Sequence, residues 1–202
     1  MVQKTKFFVM ACMAAMLACH PQNMLAADRN DGNNQQKIVM NNILTRTSVR
    51  TYQTRSVEKS KIHNLLRAAM AAPSAVDKRP WHFIVVTDKA VLKALSEANP
   101  NAGMAAEAPL AIVVCGDMNK ALTGGGREFW VQDASAASEN ILLAANGMGL
   151  GAVWTGTYPS KERCAAVSKV LNLPEHIVPL NTIVIGYPES GNMPKDKFDA
   201  AN

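Results

Sequence analysis

"APLAIVVCGD", residues 108–117, is apolar almost from end to end, and branched at its centre. A strand with one wet face alternates apolar and polar side chains; this one does not alternate, so both of its faces are covered. It must lie inside a layered fold. Upstream, "KAVLKALSEA" (89–98) reads as a short helix and "HFIVVTD" (82–88) as a second buried strand. Before them, "SVEKSKIHNLLRAAMAA" (56–72) sets Ile62, Leu65, Leu66 and Ala69 at helical spacing, and Pro73 stops the helix. "KIVMNNILT" (37–45) has the same spacing in Ile38, Val39, Ile43 and Leu44. Downstream, "GGGREFW" (124–130) is a loop. The longest helix runs from Trp130 to Met148, with Ala134, Ala137, Ile141, Leu142 and Ala145 on its buried side. "GLGAVWTG" (149–156) gives a third strand, "SKERCAAVSKVLNL" (160–173) a helix, and "IVPLNTIVIGYP" (177–188) a fourth strand. The order predicts an α/β or α+β sandwich, helices packed around one apolar sheet; periodicity does not order the strands.

The chain has 202 residues, 48% of them hydrophobic, which suits one domain with a sizeable core. Its formal charge is +5. From residue 28 onward 19 basic residues face 16 acidic ones, dispersed along the chain with no basic run, which argues against a nucleic-acid partner. Residues 1–27 read as an export signal: Lys4 and Lys6 precede an apolar run from Phe7 to Cys19 that is too short for a membrane span. Cys19 after Ala18 resembles a bacterial lipoprotein box, so a lipid on Cys19 competes with cleavage after Ala26 or Ala27. The expectation is an exported protein, periplasmic or lipid-anchored to the cell envelope. Residues 28–36, "DRNDGNNQQ", read as a flexible tether, and 37–202 as the folded domain. Cys115 and Cys164 are spaced for neither a metal nor a redox pair and read as small hydrophobes.

Three polar segments flank the core. In "RTSVR", Arg46, Ser48 and Arg50 alternate, so an extended backbone puts two guanidiniums and a hydroxyl on one face, a set suited to phosphate. The connector "AAPSAVDKRPWHF" (71–83) is stiffened by Pro73 and Pro80; it can present backbone groups to a flat polar ligand, with Trp81 at its edge. In "PKDKF" (194–198), Lys195 and Lys197 alternate and again suit a phosphate. Singly, each reads as well as a solvated basic turn, an ordinary connector or a charged tail.

Taken in order and spacing, "RTSVRTY", "LLRAAMAAPSAVDKRPWHFIVV", "WVQDASAASENILLAANGMGLGAVWTG", "VIGYP" and "PKDKFD" resemble the nitroreductase-like flavoproteins over residues 38–199. The resemblance implies an α+β sandwich around a central mixed, mostly antiparallel sheet flanked by helices. It also implies a homodimer with the long Ala-rich helix at the contact and an FMN in each of two interfacial sites. By that resemblance Arg46, Ser48 and Arg50 hold the flavin's phosphate and ring edge, and Lys195 and Lys197 complete the phosphate site. The turn of Pro73, Ser74, Ala75 and Asp77 touches the ring, and Trp154, Thr155 and Gly156 line its other side. The implied reaction passes reducing equivalents from NAD(P)H through FMN to nitroaromatics, quinones or other small acceptors, in ping-pong fashion; no side chain serves as nucleophile. The sequence departs from the family's usual asparagine at Asp77 and usual glutamine at Arg79. An ionised Asp77 accepts but does not donate, which would lower the flavin potential unless Arg79 offsets it as an ion pair. An exported electron relay without efficient NAD(P)H turnover, a specialised flavin chemistry such as dehalogenation, and a cofactor-free domain stand as the alternatives.

Overall fold

The computed structural model of the protein describes residues 21–189 and 193–201. Among the described residues five α-helices and four strands run α1 (Pro21–Thr45), α2 (Lys59–Met70), β1 (Trp81–Val86), α3 (Lys89–Ala98), β2 (Leu110–Asp117), α4 (Phe129–Gly147), β3 (Gly151–Gly156), α5 (Lys161–Leu171) and β4 (Ile177–Gly186). Single 3-10 turns sit at Ala75–Asp77, Pro100–Ala106 and Gly124–Gly126.

The sheet order is β1-β2-β4-β3, and every strand pair is antiparallel. The one parallel pairing described is an isolated bridge between Ser48 and Ala152, so the expected mixed character comes down to that bridge. β2 shows why the sheet is covered on both sides. Leu110, Ile112 and Val114 join one buried cluster with Trp130, Ala134, Ala137 and Ile141 of α4 and Leu65 and Ala69 of α2. The alternate residues Ala111, Val113 and Cys115 join a second cluster with Leu92 and Leu95 of α3 and Val167 of α5. The period-2 direction of side chains thus sends one apolar run into two cores. The result is an α+β sandwich, helices α2 and α4 on one face and α3 and α5 on the other. Asp88 and Ser160 cap α3 and α5, accepting from the Val91 and Arg163 amides at 3.0 and 3.2 Å.

One boundary differs from the sequence expectation. Residues 28–36, read as a flexible tether, are helical within α1. A polar, Asn/Gln-rich stretch has the same composition whether it is coil or a solvated helix, and composition alone could not separate the two. By packing, the chain divides after Val39 rather than after residue 36. The first twenty residues of the expected export signal lie outside the described residues. Among the described residues no helix is long and apolar enough to cross a membrane.

Candidate functional site

The segment after α1 is fixed through Val49. Its amide donates to the Ala152 carbonyl at 3.0 Å, and its side chain is buried against Gly151. A Cβ on Gly151 would lie 2.6 Å from Val49 Cγ1, so this contact requires glycine. The Tyr52 hydroxyl lies within hydrogen-bonding distance of the carbonyls of Val49 and Val184, with one proton to donate between them; burial pushes its pKa up. With Val49 turned inward, Arg46 and Arg50 are free of the core, but they do not line one cavity. Arg46 Nε lies 3.6 Å from Glu139 Oε1 on α4. Arg46 also lines a cavity of about 480 Å³ together with Lys195, Lys197, Asp196 and Phe198. Three cations against two carboxylates, Asp196 and Glu139, give this cavity a net positive lining, chemically suited to an anion. A neighbouring cavity of about 240 Å³ runs on past Arg46 to Asn146, Leu150 and Ala152.

Arg50 belongs to a different cavity, of about 310 Å³, lined by Asn101, Val153, Trp154, Thr155 and Gly156. The Thr155 hydroxyl is spent on the Thr182 carbonyl at 2.6 Å. Above Gly156 there is open space: a Cβ built there meets no atom within 4 Å. Neither packing nor a positive φ demands glycine at that position, so what it leaves free is room at the cavity wall. Ser48 lines none of these three cavities.

The connector is a strained turn. Val76, Asp77 and Arg79 have φ of 51°, 52° and 49°. A β-branched residue in that region is an outlier, and such residues cost roughly 1–3 kcal/mol each. The turn is held from outside. The Ala75 amide donates to Asp133 Oδ1 of α4 at 2.8 Å, and the Arg79 amide donates to Ser74 Oγ at 2.9 Å. Arg79 also forms the expected ion pair, donating from Nε and Nη2 to the two oxygens of Asp77 at 2.7 and 2.6 Å. Those hydrogen bonds hold the Asp77 carboxyl below its ordinary pKa. Two expectations change here. The shape is set by Asp133 and Ser74, not by proline stiffness alone. Trp81 is buried in the core beside Phe83 instead of sitting at a ligand's edge. Within one chain, Pro73, Ser74, Ala75 and Asp77 line neither the Arg46 nor the Arg50 cavity.

Sequence reasoning missed Asn101 and Asp133. Asp133 did carry a signal: it stands four residues before Ala137, on the buried stripe of α4, where a carboxylate needs a donor. Asn101 carried none, since a polar residue after "NP" reads as an ordinary turn.

Comparisons with known proteins bear on the family and the fold. The Nitroreductase family model matches residues 43–101 and 96–187. The chain is 46% identical over 169 residues to a Methanothermobacter thermautotrophicus protein provisionally named an NADH dehydrogenase/NAD(P)H nitroreductase, covering 84% of this chain and 87% of that one. A solved Parabacteroides distasonis structure with the same provisional name is 51% identical, with a TM-score of 0.76 over 81% of this chain and 94% of that one. An FMN-dependent nitroreductase from Clostridium difficile R20291 is 31% identical, with a TM-score of 0.72 over 78% and 92% of the two chains.

Proposed function

Because the chain belongs to the nitroreductase family, we propose that it is an FMN-dependent NAD(P)H oxidoreductase that reduces small acceptors such as nitroaromatics or quinones. The observation that carries this reading is the separation of two chemistries along the 46–50 segment. Arg46, Lys195 and Lys197 surround one cavity, and Arg50 with the open wall at Gly156 forms another. A molecule with a phosphate at one end and a flat polar ring at the other needs those two sites. The residues therefore fit FMN. Lys195 and Lys197 offer point charges to the phosphate, and Arg46 adds a directional donor set, part of it shared with Glu139. Arg50 offers donors to the ring's polar edge. Gly156, lacking a Cβ, lets a planar ring lie against the backbone of β3. Bound FMN supplies the two-electron carrier between NAD(P)H and the acceptor, which take turns at one face in ping-pong order. No side chain of the chain need act as nucleophile or general acid.

The active form is a homodimer in this reading. Met40, Ile43 and Leu44 of α1 and Phe198 are exposed apolar side chains, and the last three border the anion-binding cavity. The 73–79 turn, which lines neither cavity of its own chain, meets the ring from the second copy, and the exposed face of α4 lies at the contact. The basic start and the apolar run from Phe7 support export, with Cys19 as the lipid-bearing residue; fractionation of cells making the full chain, with a Cys19→Ala control, tests this.

The test of function is the visible spectrum of the purified protein before and after anaerobic NADH or NADPH. A yellow protein that bleaches with either donor, and recovers on adding a nitroaromatic or a quinone, is the expected result. A colourless protein that takes up no added FMN would overturn the reading.

A further inference from the structure

The carbonyl of Gly156, at the wall of the Arg50 cavity, accepts two hydrogen bonds from outside β3. Arg163 Nη1 donates to it at 2.8 Å, and Asn99 Nδ2 donates at 3.1 Å. Two donors occupy both lone pairs of this oxygen. The following amide, Thr157 N–H, donates to Leu180 O at 3.0 Å, so the Gly156–Thr157 peptide is held at both its polar atoms. Asn99 is fully buried. Its other side-chain atom is also committed: Oδ1 accepts the Asn101 amide at 3.1 Å and so starts the 100–106 turn. The orientation of this amide group is forced. Reversing it would set the NH2 against the Asn101 N–H and the oxygen against the Gly156 oxygen.

One buried side chain therefore ties together two separate walls of the same cavity, the Asn101 turn and the end of β3. Arg163 reinforces the second tie, and its own backbone is fixed because its amide donates to the Ser160 cap at 3.2 Å. A buried polar group fully satisfied in this way gives rigidity and a single geometry.

We propose that Asn99 and Arg163 are positioning residues for the flavin ring: by clamping Gly156 and seating Asn101 they fix the gap into which the ring enters opposite Arg50. This rests on the FMN reading above. Neither residue lines the cavity, so each acts through Gly156 and Asn101. A site held at its working geometry before the ligand arrives binds more tightly, because less ordering is left to be done on binding.

The test is an FMN titration of the apoprotein, followed by quenching of flavin fluorescence, with visible circular dichroism of the bound flavin as a second readout. Arg163→Met, at a partly exposed position, is expected to raise the FMN Kd about tenfold and to change the dichroism of the bound flavin. Arg163→Lys, which keeps a donor, is expected to stay within about threefold of wild type. Asn99→Asp keeps the acceptor for Asn101 but replaces the donor to Gly156, and is expected to weaken binding at least as much as Arg163→Met. Val167→Ala, at a buried α5 position that does not line the cavity, controls for stability: it is expected to lower Tm while leaving Kd and dichroism unchanged. Wild-type Kd and dichroism in Arg163→Met would overturn the proposal, whatever Asn99→Asp does. So would a Val167→Ala variant that loses FMN as badly. Wild-type protein that binds no FMN would take the functional reading down together with this one; a wild type that binds while Arg163→Met matches it removes the clamp alone.

Discussion

Gly156 tests the site most directly among single residues. Its absent side chain leaves space that no protein atom fills. Gly156→Ala should therefore fold as well as wild type, with Tm unchanged or slightly raised by the lower entropy of the unfolded chain. Its methyl group would project into the cavity wall, and FMN affinity is expected to fall about tenfold or more. Unchanged affinity measured by fluorescence titration would mean that the ring does not lie against β3. Asp77 and Arg79 make a second residue-scale test. Arg79 holds the Asp77 carboxylate bidentately, so the flavin would meet a neutral pair, the offset that the sequence raised as one alternative. Asp77→Asn would leave the Arg79 guanidinium uncompensated and should raise the midpoint potential. Arg79→Ala unmasks the carboxylate and should lower the potential, the opposite direction to Asp77→Asn. Potentiometric titration decides; an Arg79→Ala shift of zero would leave the pair without a redox role.

At the scale of elements, two contacts carry expectations. Asp133 of α4 is the outside anchor of the strained 74–79 turn. Asp133→Ala leaves the Ala75 amide without its partner and should cost about 1–3 kcal/mol in urea unfolding, with faster proteolysis near Val76. Cleavage at the wild-type rate would show that Ser74 holds the turn unaided. Glu58, just before α2, accepts from the Tyr187 hydroxyl at 2.6 Å; that hydrogen bond is the main reason its pKa is held at about 2, below the ordinary 4.5. A depressed carboxyl stabilises the fold above its unfolded value and loses that contribution as pH falls through the folded one. The stability gap between wild type and Glu58→Gln should be constant above pH 4.5, shrink below it, and vanish near pH 2. A gap that persists in acid would assign the effect to packing. The elements themselves were legible because hydrophobic period and length are local properties: β2's unbroken apolar run could only be a strand covered twice, and its two alternating residue sets do enter two cores. Of the parts of the site that were missed, Asp133 and Asn99 act on partners 58 and 57 residues away, while Arg163 and Asn101 act on Gly156 and Asn99, 7 and 2 residues away, whose place in the site only the fold sets. Apart from Asp133, a carboxylate on the buried stripe of α4, no local pattern marks them.

For the molecule as a whole, the turn at 73–79 raises the sharpest question, because its strained backbone and exposed Val76, 80% accessible, face neither cavity of their own chain. Strain that Asp133 and Ser74 hold in place, yet that serves no cavity of its own chain, points to a contact outside it. If the ring is completed by the turn of a second copy, FMN binding and dimerisation are linked, and each must strengthen the other by the same factor. Two results follow. FMN affinity should weaken when the protein is diluted below its dimer dissociation constant, and added FMN should raise the dimer fraction. Met40 gives a handle on the contact alone: it is an exposed apolar residue of α1 and lines none of the cavities described. Met40→Glu should shift the protein toward monomer in sedimentation velocity and weaken FMN binding in proportion. The weakening should be relieved at high protein concentration, because mass action restores the dimer. A Met40→Glu monomer that binds FMN as tightly as the wild-type dimer would show that one chain holds the flavin by itself. In that case the Arg46 and Arg50 cavities would suffice, and the strained turn would need another purpose.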